Sequence, residues 1–177
     1  MKTITTLFFL FAATICHAQL KPVEQASSLK FTIKNLGFDV NGSFTGFEGA
    51  INFDPQSLPA STFDVSINAA TINTDNNLRD EHLKGNSFFD VKNYPLIHLV
   101  ATRVLPTNKT GIFMLNGQLT IKGKTQQIAF PFTANATNDG YLFKGSFKMK
   151  RKDFGVGGTS TVSDELEVML NVTAKKA

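Results

Sequence analysis

The sequence predicts an all-β chain, an antiparallel barrel or sandwich with one short helix inserted. Three observations predict it. Apolar residues recur at a period of two along nearly the whole chain, short alternating runs are separated by turn-forming clusters, and a single stretch carries helix chemistry. The 177 residues suffice for one domain with a substantial core, and 42% hydrophobic against 18% charged residues places the chain among folded proteins.

The strands read in order. Leu29, Phe31 and Ile33 alternate with Lys30, Thr32 and Lys34, and after Gly42 and Phe44 the phase breaks at "TGFEGA", where Phe47, Ile51 and Phe53 take over. A switch of phase predicts a bulge or sharp bend. Phe63, Val65, Ile67 and Ala69 form the next inward set, then Ile97, Leu99 and Ala101, then Phe113, Leu115, Gly117, Leu119 and Ile121. Ile128, Phe130, Phe132 and Ala134 follow, then Tyr141, Phe143, Phe147, Met149 and Arg151, then Leu166, Val168, Leu170 and Val172. Clusters such as "DPQSLP", "PTNKTG", "KGKTQ" and "ATNDG" supply the turns. In "NTDNNLRDEHLKGNSFFDVKNYP", Asp and Asn precede helix formers and Gly85 stops them, which predicts a short helix pinned to the body by Phe88, Phe89 and Tyr94.

The first 18 residues read as a secretory signal. Lys2 precedes an apolar run from Ile4 to Ile15 and a small-x-small site ending at Ala18, so the mature domain is expected to span residues 19–177 in the periplasm or outside the cell. Ile15 is too large for the residue before a lipid-modified cysteine, which favours soluble export. Cys16 is the only cysteine and leaves with the signal, removing thiol nucleophiles, redox pairs, thiolate metal sites and disulfides from the mature chain. The formal charge of +4 is spread thinly, which argues against a nucleic-acid partner. A transmembrane barrel is rejected, since Trp is absent, Tyr occurs twice and Arg151 would face lipid.

Catalytic chemistry is sparse. No phosphate-cradling loop, nucleophile elbow or dinucleotide fingerprint is present; "GFEGAINFD" and "FGVGG" lead into strands. His82 reads as a surface or helix-packing residue and His98 as solvent-facing, and neither implies a metal. An enzyme acting on a lipid would have to assemble Asp80, His82 and Asp153 at one mouth. The inward face mixes large residues with small ones (Gly42, Ala69, Ala101, Gly117, Ala134 and Gly145), a pattern that fits a hollow barrel holding one ligand and a filled, tapering core equally well.

The stretches "FTIKNLGFDVNGSFTGFEGAINFDP", "INTDNNLRDEHLKGNSFFDVKNYPLIHL", "LNGQLTIKGKTQQIAFPF" and "KRKDFGV" resemble, in order, the YceI-like, polyisoprenoid-binding family. The resemblance covers nearly all of the mature domain. It implies an extended, lipocalin-like, eight-stranded antiparallel barrel with a helix against it, a non-catalytic role, and no cofactor other than a bound isoprenoid or quinone-like lipid with its head towards one opening. Membrane cytochromes of the b type are the implied partners, and the chain is compatible with a homodimer. Ala26 and Asn35 stand where many relatives carry histidine, whereas the arginine before "KDF" recurs in many of them.

The expected function is a carrier for an amphiphilic lipid; the alternative is a filled barrel acting as a structural or stress-related partner protein. The expected ligand-binding residues are Phe31, Ile33, Phe44, Phe63, Val65, Ile67, Leu99, Phe113, Leu115, Phe130, Phe132, Phe143, Phe147, Met149 and Arg151. Ala69 and Gly117 are expected to border cavity space. Arg151, in step with the aromatics where its strand ends, is expected at an opening, wet on one side, with its fork free for a head group; the alternative is a structural pairing with Asp153 or a strand-end carbonyl.

Overall fold

The computed structural model describes residues 19–177; the expected signal sequence lies outside them. Among the described residues, ten strands form one antiparallel sheet: β1 (Leu20–Pro22), β2 (Ser28–Asn35), β3 (Phe38–Phe44), β4 (Glu48–Asn52), β5 (Thr62–Asn68), β6 (Leu96–Pro106), β7 (Ile112–Ile121), β8 (Lys124–Ala136), β9 (Gly140–Lys150) and β10 (Val162–Lys176). β1 and β2 are two halves of one course of chain, broken by a 3-10 turn at Glu24–Ala26, and β3 and β4 are another, broken at Thr45–Phe47. Counted by courses, eight strands pair in sequence order around a ring. β10 closes it by pairing with β2 through Leu166↔Ile33 to Asn171↔Ser28 and with β1 through Leu20↔Lys176. This is the expected closed eight-stranded barrel, although β3 is laddered on one side alone, to β2, and on its other side makes a single bridge from Ser43 to Asn73.

The expected bend at "TGFEGA" is the second of these breaks. The two breaks lie side by side, tied by one carboxylate: Gly46 N–H donates to Glu24 Oε1 (2.8 Å) and Phe47 N–H to Glu24 Oε2 (2.7 Å). Gly46 has φ +75°, and a Cβ there would lie 2.8 Å from Asn68 Cβ. Beyond the break, β3 does not pair with β5. Ser43 instead bridges Asn73, and Asn68 N–H and Thr71 Oγ1 donate to the Thr45 carbonyl, so a 3-10 turn at Ala69–Thr71 closes the ring there. Ala69, expected in a strand, opens this turn because the Asn68 side chain accepts the Ala70 N–H (2.9 Å) and ends β5.

The expected helix is α1 (Asn77–Lys84). Asn76 caps it by accepting Arg79 N–H (3.0 Å), and Gly85 follows its last residue. Phe88 is buried and Phe89 packs edge-on to Phe44, centroids 5.4 Å apart, so this connection forms one wall of the barrel. Tyr94 lies over the β7–β8 turn, where a Cβ on Gly123 would fall 2.6 Å from its ring.

The far end of the barrel is solid. Phe53, just past β4, reaches into it and packs its ring against Phe63, Phe113, Phe132, Tyr141 and Phe143 at 5.2–6.2 Å between centroids. These rings, with buried Leu20, Leu58 and Val104, form a plug. The β2–β3 hairpin turns on Leu36 (φ +51°) and Gly37 (φ +86°), the signs of a type I′ turn. Leu36 is 72% exposed, so packing does not offset its left-handed conformation.

Leu36→Asn is expected to raise unfolding stability by roughly 0.5–1 kcal/mol, because Asn adopts the left-handed region at less cost. Glu24→Ala is expected to lower it by about 2–3 kcal/mol through loss of two charge-assisted hydrogen bonds. Denaturant titration checks both; equal stabilities of Glu24→Ala and the parent would show that the bends hold themselves.

Candidate ligand cavity

Above the plug the barrel is hollow. Two voids lie inside it, open to the centre of a water-sized sphere over about 150 and 110 Å³. Leu29, Ile67, Ile97, Leu119 and Phe147 line both, so these side chains form a waist between the voids. The inner void is walled by Phe63, Val65, Leu99, Leu115, Phe130, Phe132 and Phe143 and ends on the aromatic plug. The outer void is walled by Phe31, Ile33, Phe44 and Met149 from strands, and by Leu83, Phe88, Phe89, Phe154 and Val156 from α1 and two loops. Inward residues such as Val65, Phe147, Met149 and Leu166 stay half-exposed although they face the barrel interior, because their inner sides meet empty space.

All but one of the expected ligand-binding residues therefore line a void. The exception is Phe113, which packs on Phe53 (5.3 Å) and Phe132 (5.6 Å) within the plug. Two expected space-makers are also corrected. A Cβ on Gly117 would fall 2.7 Å from the Val100 carbonyl oxygen, so this glycine admits a neighbouring strand and not a ligand. Ala69 is 1% exposed and borders neither void. Gly42 likewise makes room for protein: a Cβ there would meet the Phe31 ring at 2.3 Å and Thr74 Cγ2 at 3.0 Å.

Arg151 lines the outer void and departs from expectation in another way. It is 4% exposed and its fork is engaged by backbone. Nε donates to the Ser163 carbonyl (2.9 Å), Nη1 to Val156 (2.6 Å) and Gly158 (3.3 Å), and Nη2 to Val162 (2.7 Å). No carboxylate pairs with it among the described residues. The carbonyl dipoles replace water around the charge, which is the condition for burying it. The "FGVGG" glycines serve this clamp. Gly155 (φ +67°) ends the 3-10 turn Arg151–Phe154, and a Cβ on Gly157 would lie 2.7 Å from both Arg151 Nη1 and the Phe88 ring. An inward arginine at a strand end thus shapes the loop after Phe154 and the start of β10 over the void.

The mouth lies between the hairpin and α1. Asn35 and Val40 line the outer void beside Leu36 and Phe38, which are 72% and 77% exposed, and Arg79 lines it beside Leu78, 87% exposed. Sequence reasoning passed over Thr74, Arg79, Leu83, Phe88, Phe89, Phe154 and Val156 as wall residues because turns and a short helix carry no period-two signal; Leu119 and Ile121 did carry it. None of Asp80, His82 and Asp153 lines a void. Asp80 Oδ1 accepts both the backbone N–H and the hydroxyl of Thr74, and His82 packs on Phe88 (5.0 Å). His98 faces out and pairs with Asp64 (2.7 Å).

Arg151→Leu is expected to destabilise the fold by at least about 3 kcal/mol, since buried carbonyls lose a charged partner. Arg151→Lys should recover only part of this, because a compact ammonium does not span the carbonyls of Val156, Val162 and Ser163 together. Full recovery by lysine in denaturant unfolding would refute the fork geometry.

Comparisons with known proteins agree with this architecture. The model of the YceI-like domain matches residues 20–174. A UPF0312 protein of Pseudomonas aeruginosa is 30% identical over 95% of this chain and 91% of its own, and one of Yersinia pseudotuberculosis is 32% identical over 94% and 90%. Among solved structures, Burkholderia cenocepacia BcnA superposes with a TM-score of 0.80 at 25% identity, over 85% of this chain and 98% of its own. The Campylobacter jejuni YceI protein gives 0.70 at 26%, over 81% and 94%. A polyisoprenoid binding domain from Saccharophagus degradans gives 0.75 at 13%, over 91% and 100%, a likeness of fold alone. A family match over almost every described residue, on a closed barrel with one helix against a hollow interior, establishes that the chain belongs to the YceI-like family.

Proposed function

We propose that this protein is a non-catalytic carrier for one long, largely apolar amphiphile, an isoprenoid or a similar lipid, held inside the barrel after export to the periplasm. The observation that carries the reading is the pair of apolar voids on either side of that waist, the inner one ending on the aromatic plug. An elongated, dead-ended, apolar space fits a chain better than a compact metabolite. Each buried CH₂ contributes about 0.8 kcal/mol, so chain length governs affinity more than any single polar contact. The fold shared with the polyisoprenoid binding domain of Saccharophagus degradans supports the same class of ligand. The filled-barrel alternative has the plug in its favour and the voids against it.

Mass spectrometry of lipid extracted from the purified mature protein tests the reading, with a single class of long-chain amphiphile as the expected result. Ile67→Phe at the waist separates chain length from mere hydrophobicity. Binding of geranylgeraniol should weaken roughly tenfold or more, the loss of about two buried CH₂ groups, while geraniol binds as before. Equal effects on both, at unchanged melting temperature, would mean that the ligand does not pass the waist; the melting measurement guards against overpacking strain.

A further inference from the structure

The polar side chains on the outer void are Asn35, Thr74, Arg79 and Arg151. Arg151 is engaged with carbonyls, as described. Thr74 is 4% exposed, and its hydroxyl donates to Asp80 Oδ1 while accepting from Arg79 Nε (2.7 Å). Asn35 Oδ1 accepts the Thr161 hydroxyl (2.9 Å), leaving its amide N–H groups without a protein partner among the described residues. Arg79 donates through Nε to Thr74 Oγ1 and through Nη2 to the Thr74 carbonyl (2.7 Å). Its Nη1 has no protein partner, and no carboxylate lies within ion-pair distance of it among the described residues.

The guanidinium is therefore fixed; the Asp80 carboxylate offsets part of its charge across the Thr74 hydroxyl, and Nη1 keeps its donors unused. Two of its donor nitrogens are held from behind by a threonine that is itself anchored, through its backbone N–H (2.9 Å) and its hydroxyl, to the buried carboxylate of Asp80. Gly42 eases this anchor, since a Cβ there would crowd Thr74 Cγ2 at 3.0 Å and clash with the Phe31 ring at 2.3 Å. A positive group with unused donors, rigidly placed at the mouth of an apolar void, favours an oxyanion at the end of an apolar chain.

We propose that Arg79, and not Arg151, is the head-group residue, and that the ligand bears an anionic phosphate or carboxylate at the mouth end of its chain. The positioning residues are Thr74 and Asp80, and the Asn35 amide offers a second donor from the hairpin side. The proposal rests on the carrier reading and names the head-group class that this reading leaves open.

The test measures Kd of the mature protein for geranylgeranyl phosphate and geranylgeraniol, and for palmitate and hexadecanol. The wild type should prefer each anion over its alcohol. In Arg79→Gln the anion should weaken roughly 10- to 100-fold, the worth of a hydrogen bond to a charged group, with the alcohols unchanged. Arg79→Lys keeps the charge without the fork and should retain part of the preference, so a loss in both variants of anion and alcohol alike would overturn the assignment. An anion preference that survives undiminished in Arg79→Gln would take the head group away from Arg79 and overturn the assignment. Inorganic phosphate should not compete with geranylgeranyl phosphate, and competition at matched concentration would mean a free-anion site instead. A wild type that binds anion and alcohol equally refutes the head-group proposal and leaves the carrier reading standing, whereas one that binds none of the four refutes both.

Discussion

β10 has to serve two partners along one edge, and the rest of the structure follows from that constraint. Its 15 residues outrun β2, so its last turn of ladder goes to β1. The first course of chain breaks between β1 and β2, where its register against β10 shifts, and the second course breaks beside it. Both breaks expose backbone N–H groups that a continuous ladder would have satisfied. The Glu24 carboxylate accepts two of them at once, Gly46 and Phe47. Below that level the ring is tight and aromatic; above it β3 leaves β5 and a turn and helix fill the gap. The division of the barrel into a solid end and a hollow end coincides with these bends.

The hollow end is built from pieces that a strand ladder does not supply. α1 and the segment through Phe89 close one side, and the loop from Phe154 to Val162 closes another. Each is held by one buried charge. Asp80 anchors the chain entering α1 through Thr74, and Arg151 gathers the carbonyls of the loop. Among the described residues neither charge makes a direct salt bridge; Arg151 is solvated by carbonyl dipoles, and Asp80 by the Thr74 N–H and hydroxyl, with Arg79 on the far side of that hydroxyl. Two arginines thus divide the labour at the outer void, one turned into the wall and one with donors still open.

Most of the fold was legible in the sequence. Period two marked every long strand, "TGFEGA" marked the bend, and Asn76 with Gly85 framed the helix. Most wall residues were legible for the same reason, since an inward phase is a property of local alternation. What alternation does not encode is depth along the barrel. Phe113 and Leu115 share a phase, yet Phe113 meets the Phe53 plug and Leu115 meets a void.

The sequence by itself determined the antiparallel barrel, the inserted helix and which face of each strand points inward, because these depend on neighbours one or two residues apart. Only the tertiary structure decided where the interior is empty and what each inward polar group does. Gly42 and Gly117 are small because other side chains or backbone press on them, from residues distant in sequence. Arg151 points inward on the same phase as the aromatics, but its partners lie 5–12 residues further along a loop whose path no periodicity predicts. Arg79 sits in the short inserted helix, where no alternation marks a wall residue, and Thr74, which holds its guanidinium, packs beside Gly42. A hydrogen-bonded charge takes its role from the groups that surround it in space, and those groups come together only when the ring closes.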